Sequence, residues 1–393
     1  MTALADCHVE FIRLDPFRDY PSPKVSVLPV FDPALIRHRL PAGPFFSDQA
    51  VFLNAGRTAL EWIARHLPRP GAILLPAFHC PTMVTPVHAA GRQARFYRLQ
   101  PDLQPDLADL EQTLQGGDIA AVLVPHYFGF PQPALPTLAS RIKAANAYLI
   151  EDCAHALLSE QNGQPLGQTG DYAIASTRKF VPGRDGGLLL INHAPESPVD
   201  LPRPGMGAEL RSVYDLLQQS AQHGHLPILK WLVRPPSLQA IGNSAQTLPP
   251  QRIQVDARQG LPRQRGLHSS RWVLRHTDYP ALISRRRSIY KQWLHIVNDI
   301  PGVRPLFPAL PDGVVPYMFP LLLDEPKRYF PALKQARLPI WRWDELAESS
   351  CEVSQRYGIG LLQLPCHQSI RHDELDWMAT QLSQIMHSNK GLS

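Results

Sequence analysis

This chain lacks any apolar run near the ~18 residues that a membrane-crossing helix needs. Its opening, MTALADCHVEFIRLD, is broken by charges before a signal-peptide apolar region could form. Both absences point to a cytoplasmic protein with no membrane partner. Cysteine is scarce: Cys7, Cys80, Cys153, Cys351 and Cys366 are five, an odd number, with no CxxC spacing. That excludes a disulfide framework and a zinc site, and leaves reduced thiols and no metal. Charge is modest, with 19% Asp, Glu, Lys and Arg and a net +5. The cations are dispersed, which argues against a nucleic-acid partner. A mild basic excess suits a small phosphorylated ligand. The one dense basic run, SRRRS around Arg286, reads as a solvated helix face.

Proline is abundant instead, 41 of 393 residues, about twice its usual ~5% share. With 44% hydrophobic residues spread throughout, this means pinned loops rather than disorder. The length suggests roughly two to three units of ~150 residues.

Residues 1–45 are proline-rich and weakly periodic, and read as an arm packed on the body. Between about 50 and 192, helical and strand patterns alternate. GRTALEWIARHL places Ala59, Trp62, Ile63 and Leu67 on one helical face. AILLP, ARFYRL, IAAVLVP, AYLIED, YAIAST and GLLLIN are strands. PTMVTPVHAAG, LADLEQTLQ and ALPTLASRIKAAN are helices between them. Continuously apolar strands separated by helices specify a mostly parallel sheet covered on both faces. The pattern blurs over 195–270, where ESPVDLPRPG, RPPS and LPPQ flank one helical stretch, YDLLQQSAQHG. From about 275 a long helix (YPALISRRRSIYKQWLHIVNDI), a strand (VVPYMFPLLL) and a closing helix (HDELDWMATQLSQIMH) form a further unit. The expected division is an arm (1–45), a large α/β domain (46–265) and a small C-terminal α/β domain (266–393).

Ligands of parallel sheets bind beyond the carboxyl ends of the strands. Three such ends carry chemistry. AYLIEDCAHA ends in Glu151 and Asp152. YAIASTRK ends in Ser176, Thr177, Arg178 and Lys179. The helix after VFLNAG opens with Gly56, Arg57 and Thr58. Each alone reads as a cap, a turn or a surface lysine. Together they supply a helix N-terminus for a phosphate, a carboxylate for a protonated ring nitrogen, and a lysine for an aldehyde. Pyridoxal 5'-phosphate needs those three groups. Arg178, beside Lys179, would also favour the neutral amine.

In order along the chain, NAGRTAL, LPAFHCPTMVTPVHAAG, VPHYFG, IEDCAHA and RKFVPGRDGG resemble the DegT/DnrJ/EryC1/StrS aminotransferases. These are sugar aminotransferases of the fold type I pyridoxal phosphate superfamily. The resemblance is strongest over about 45–192. It implies that Lys179 holds the cofactor aldehyde covalently and that Asp152 pairs with the ring nitrogen. His155 would lie beside the ring. Gly56, Ser176, Thr177 and the N–H groups of Arg57 and Thr58 would hold the phosphate. Gly186 and Gly187 would let the chain leave the crowded site. It also implies a homodimer with shared sites, and transfer from an amino acid, glutamate expected, to a keto-sugar, expected to be nucleotide-linked.

The chain departs from the pattern in three places. Ser176 precedes Lys179 by two residues fewer than in Ser-x-x-x-x-Lys, so Thr177 could share the phosphate. Cys80 stands where relatives carry a ring-stacking aromatic, which leaves His79 or Phe78 to stack. No Asn-x-Arg-Met signature, through which a neighbouring subunit reaches the phosphate, is recognisable in 200–265. For a diphosphate the C-terminal half offers Arg263, Arg265, Arg285, Arg286, Arg287 and Arg342, with Trp341 and Trp343 as flat faces. Rival readings are a dehydratase, whose lysine is replaced by histidine, an aminotransferase of a non-sugar ketone, and a non-catalytic regulator.

Overall fold

The computed structural model describes every residue except 1–7, 16–19, 38–39, 196, 233–248, 258–261 and 389–393. Cys7, the RPPS stretch and part of the 200–265 segment therefore lie outside the described residues.

Seven strands form the main sheet: β1 Val51–Leu53, β2 Ala72–Pro76, β3 Ala94–Tyr97, β4 Ile119–Pro125, β5 Tyr148–Asp152, β6 Tyr172–Ala175 and β7 Gly187–Ile191. Their order is β1-β7-β6-β5-β4-β2-β3. Only β7 runs against its neighbours; the pairs from β3 through β6 are parallel. Every residue of β2 and of β4 is buried, which is why these strands read as unbroken apolar runs. Alternation along each strand divides the core. Leu74, Val122, Val124 and Leu149 face one layer, with Leu110, Leu138 and Ile142 from α3 (Leu107–Gln115) and α4 (Leu135–Ala144). Ile73, Leu75, Leu123 and Ile150 face the other, with Leu60, Ile63, Val84 and Val87 from α1 (Gly56–His66) and α2 (Pro81–Ala89). α2 continues through Pro86, which cannot donate a helical hydrogen bond but is buried with Val84 and Val87.

The proline-punctuated stretch after β7 leads into α5 (Met206–Gln222), which is longer than its sequence pattern suggested. α6 (His268–Arg275) and α7 (Tyr279–Asn298) follow. Val273, Leu274, Tyr279 and Leu282 pack into the core of the main sheet. The second half of α7, through Ile289, Tyr290 and Trp293, packs instead into a C-terminal core. That core is built on an antiparallel sheet of β8 (Val303–Pro305), β9 (Met318–Leu323) and β10 (Leu361–Pro365), in that order. α8 (Pro326–Gln335) and α10 (His372–Ser388) cover it, while α9 (Glu352–Gly360) leads into β10. The N-terminal arm is tied down. Its strand His8–Arg13 pairs with Gln251–Asp256 and with Glu345–Leu346. Val25 enters the C-terminal core, and Val30 exchanges hydrogen bonds with Ser369.

Arg286 departs most from expectation. It is not on a solvated face: its exposure is 0%. Its Nε donates to Gln368 Oε1 at 3.0 Å. Nη1 donates to the carbonyls of Pro316 at 3.0 Å and Tyr317 at 3.2 Å. Nη2 donates to Lys179 O at 2.8 Å, and the guanidinium lies 4.8 Å from the Phe180 ring centre. Burial costs this cation part of its charge affinity, lowering its pKa to about 10. It is held because a planar five-donor fork satisfies carbonyls on two loops at once. Arg285 and Arg287 flank it in the same manner, donating to Ile370 O and to the carbonyls of Pro311 and Val314. Arg286→Leu removes those donors and leaves buried carbonyls unpaired. Stability should fall by about 3 kcal/mol or more, read as a lower urea midpoint. An unchanged midpoint would mean that this cation does not brace the fold.

Candidate active site

Lys179 belongs to a tight turn, Thr177–Lys179, that follows β6 directly. The turn rests on the first residues of α1. A side-chain carbon on Gly187 would collide with the backbone of Ala55 and Gly56, and one on Gly186 would collide with Thr177 Oγ1. Gly186 also has φ +142°, where side chains are strained. Gly56 approaches Ala175 O closely enough that a Cβ would sit 3.3 Å away. These glycines bring the lysine turn against a helix N-terminus.

That N-terminus is open. Ala55, the capping residue, offers no side-chain hydrogen bond. The N–H groups of Gly56 and Arg57 donate to nothing among the described residues, whereas Thr58 N–H donates to Ala55 O at 3.1 Å. Thr58 Oγ1 donates to Asn54 Oδ1 at 2.7 Å. The donors available to an anion are thus those of Gly56 and Arg57, not of Thr58 as expected. Two unpaired donors at the positive end of a helix form an anion seat. The half-buried Ser176, which makes no side-chain hydrogen bond among the described residues, stands beside it. Thr177 is buried against Gly186 and serves the turn.

Asp152 ends β5 and is buried. Its Oδ1 accepts from Ala154 N at 2.8 Å. Burial raises its pKa, opposed by Lys179, the Ala154 N–H and His126. Lys179 is shifted down, first by burial and then by Arg178, while Cys80 and Asp152 act the other way. Lysine and carboxylate are therefore close enough to act on each other. Glu151, one residue earlier, points to the opposite face, as strand alternation demands. It accepts from the N–H groups of Gly167, Thr169 and Gly170 and pairs with His126 Nε2 at 3.0 Å. His126, Glu151 and Cys153 bring their ligand-type atoms within 4.8 Å of one another. His126 Nδ1 meanwhile accepts from Gln132 N, so the group braces the 167–170 loop.

His155 is buried and kept neutral, by desolvation first and then by Lys179. Its Nδ1 accepts from Phe128 N at 3.2 Å, which places its proton on Nε2. Its ring lies 4.5 Å from Tyr317 and 5.5 Å from both Phe128 and Trp343. Lys179 Nζ sits 5.3 Å from the Tyr317 ring centre. Lysine, histidine and tyrosine thus share one wall.

His79 is not on that wall. It is fully buried, accepts from Ala347 N at 3.3 Å, and lies beside Phe11 and Phe96. Burial lowers its pKa to about 3. Its neighbour Phe78 faces the other way, 4.9 Å from Trp343. The chain alternates here as a continuation of β2, so only one of the two can face the wall, and Cys80 is the residue that acts on Lys179.

The arginines offered for a diphosphate are engaged within the protein. Besides the three on α7, Arg263 pairs with Glu61 at 2.6 Å, and Arg265 donates to Val199 O at 2.5 Å. Arg342 pairs with Asp15 and lies 3.6 Å from the Phe330 ring centre. Trp341 is exposed and donates to Gln363 Oε1, away from the wall. Tyr317 and Phe128 were not singled out in the sequence, and Arg286 was read there as a solvated cation or a diphosphate partner. Only the Gly129 after Phe128 hinted at them: a Cβ there would collide with Val315 O, and Phe128 itself takes φ 57°.

The sheet order, with its single antiparallel strand and helices on both faces, is an α/β fold that brings lysine and carboxylate to one edge of the sheet. Residues 47–195 match the DegT/DnrJ/EryC1/StrS aminotransferase family. It is 28% identical over 376 residues to the dTDP-4-dehydro-2,3,6-trideoxy-D-glucose 4-aminotransferase of Saccharopolyspora spinosa, covering 89% of this chain and 86% of that protein. Its fold is shared with the aminotransferase TlmJ of Streptoalloteichus hindustanus (TM-score 0.61, 19% identity, 86% of each chain). It is also shared with PseC of Helicobacter pylori, an aminotransferase of pseudoaminic acid biosynthesis (TM-score 0.61, 14% identity, 86% and 87% covered).

The electrostatics of Lys179 can be tested without turnover. An amine with lowered pKa loses its proton at lower pH, so its reactivity should plateau below the usual lysine range. Arg178 disfavours the ammonium form, so Arg178→Gln should move the plateau to higher pH. Acylation of Lys179 in cofactor-free protein, followed against pH by peptide mass spectrometry, reads both. A plateau at the ordinary lysine pKa would refute the shift.

Proposed function

We propose that this protein is a pyridoxal phosphate-dependent aminotransferase that moves an amino group from an amino acid, glutamate the expected donor, to the ketone of a nucleotide-linked sugar. The observation that carries the reading is the Lys179–Asp152 pair set against the open N-terminus of α1. The residues fit the cofactor. A buried carboxylate of raised pKa suits a protonated ring nitrogen, and unpaired N–H groups at Gly56 and Arg57 suit a phosphate. Pyridoxal phosphate, when bound, supplies an aldehyde and an electron sink. Lys179 would hold the aldehyde, and its Nζ would carry the proton to and from the substrate carbon. Asp152 would hold the ring nitrogen protonated, and Ser176 would add a hydroxyl to the phosphate seat. His155, fixed by Phe128 N, keeps an apolar, neutral wall beside Lys179 together with Tyr317.

The presence of Lys179 argues against the dehydratase, and the intact pair argues against a non-catalytic role. We read the protein as a cytoplasmic homodimer. Met206, Leu210, Val213 and Tyr214 expose an apolar stripe along α5 of the kind a second copy covers.

Two variants test the reading. Borohydride should fix the cofactor to Lys179, and Lys179→Ala should abolish the adduct. Asp152→Asn should retain cofactor yet lose turnover by ~100-fold or more, because a neutral amide cannot hold the ring proton. An undiminished adduct in the first, or near-normal turnover in the second, removes that residue from its role.

A further inference from the structure

Lys179 Nζ makes no hydrogen bond or ion pair among the described residues. One contact of the amine remains. It lies over the face of Tyr317, 5.3 Å from the ring centre. That is inside the ~6 Å within which an aromatic quadrupole attracts a cation. The ring is fixed more firmly than the amine. Tyr317 is 2% exposed. Its N–H donates to Phe128 O at 2.9 Å, and its carbonyl accepts from Arg286 Nη1 at 3.2 Å. The ring of His155 packs on it at 4.5 Å and that of Phe180 at 6.3 Å. The Tyr317 hydroxyl makes no hydrogen bond among the described residues, so ring packing and backbone hold the side chain. The charged and titratable groups that face this pair come from every side. Asp152 favours the ammonium form of Lys179 and Arg178 opposes it. Cys80 acts on both Lys179 and Tyr317, while Arg286, Cys366 and Arg178 act on Tyr317. His155 stays neutral. None of them bonds to Nζ.

We propose that the face of Tyr317 is the seat of the Lys179 ammonium, making Tyr317 a positioning residue that holds the charged amine whenever the lysine is not bonded to the cofactor. Its use in turnover rests on the function proposed above; the seat itself does not. A proton carrier must gain a charge in a buried place and give it up again. An ion pair with Asp152 would trap that charge, and would take the carboxylate from the ring nitrogen it is to serve. Attraction to a ring face is weaker, and Nζ breaks no hydrogen bond on leaving it. The same attraction offsets part of the desolvation that disfavours a buried ammonium. Arg286 ties the two partners together, since it donates to the carbonyls of both Lys179 and Tyr317.

Acylation of Lys179 against pH, read by peptide mass spectrometry on the full chain freed of cofactor, tests the seat. Removing an attraction for the ammonium lowers the pH at which the amine becomes free. Tyr317→Leu keeps an apolar wall without a π face, and should move the half-point of reactivity down by about half a unit to one unit. Tyr317→Phe keeps the face and should match the wild type. The sign of the change separates this role from packing. A ring that only excluded water would, when cut back, admit water and raise the half-point. A rise or an unmoved half-point in Tyr317→Leu therefore overturns the proposal. So does an equal fall in Tyr317→Phe, which would assign the effect to the hydroxyl. If the leucine variant does not fold, phenylalanine with ring fluorines at position 317 keeps the shape and weakens the quadrupole. The half-point should then fall with each added fluorine, and a flat series overturns the proposal. The borohydride adduct is scored separately. A wild type that forms none removes the function proposed above and leaves the seat to the acylation result. An adduct beside an unmoved half-point removes the seat alone.

Discussion

The backbone of Gly187 lies against Ala55 and Gly56 with no room for a side chain, and the rest of the site depends on that contact. It brings the end of β6 and the start of β7 onto the first turn of α1. Without it, the open N–H groups of Gly56 and Arg57 would face solvent and Lys179 would stand apart from them. Gly186 repeats the device one residue earlier, where its φ of +142° lets Thr177 fold inward. Space is created by removing atoms, and function is gained by what then fits beside the helix end.

A close approach of backbones must be held from both sides. On one side stands the sheet, through β7 paired with β1 and β6. On the other stands Arg286, whose guanidinium reaches from α7 to the carbonyls of Lys179, Pro316 and Tyr317. The same residue thus fixes both the lysine turn and the tyrosine that faces it. The two cores meet at this point, because the first half of α7 packs with the main sheet and the second half with the C-terminal sheet. A shift of α7 would move the lysine turn and the Tyr317 wall together.

Much of this was legible because burial leaves a periodic signature. β2 and β4 are buried along their whole length, and the sequence there is apolar without a break. α3 and α4 show their faces for the complementary reason, each having one wet side, whereas α1 is buried all round from Thr58 to Ala64. α8 and α9 were passed over: α8 buries Tyr329, Phe330 and Leu333 on one face but is interrupted by Pro331, and α9 contains Gly358 and Gly360. The N-terminal strand was hidden because its partners, Gln251–Asp256 and Glu345–Leu346, lie hundreds of residues away. In the site, Lys179, Asp152 and the helix opening were visible because strand ends fix where chemistry collects. Tyr317 was not, and Arg286 was misread, because both reach the turn from the far end of the chain. An SRRRS run looks solvated until the carbonyls that bury it are known.

The misplacement of His79 has the same origin. Sequence places Phe78, His79 and Cys80 together, but an extended chain can show only alternate residues to one side. Ala347 and Phe11 claim His79 from behind, which leaves Cys80 facing Lys179 and no aromatic ring in that position. Aromatic surface is supplied from elsewhere: Tyr317, Phe128 and Trp343 surround His155. Cys80 acts on Tyr317 as well as on Lys179, so a small thiol borders the amine where it meets the aromatic wall, and the ring missing at position 80 is replaced by rings carried from other elements.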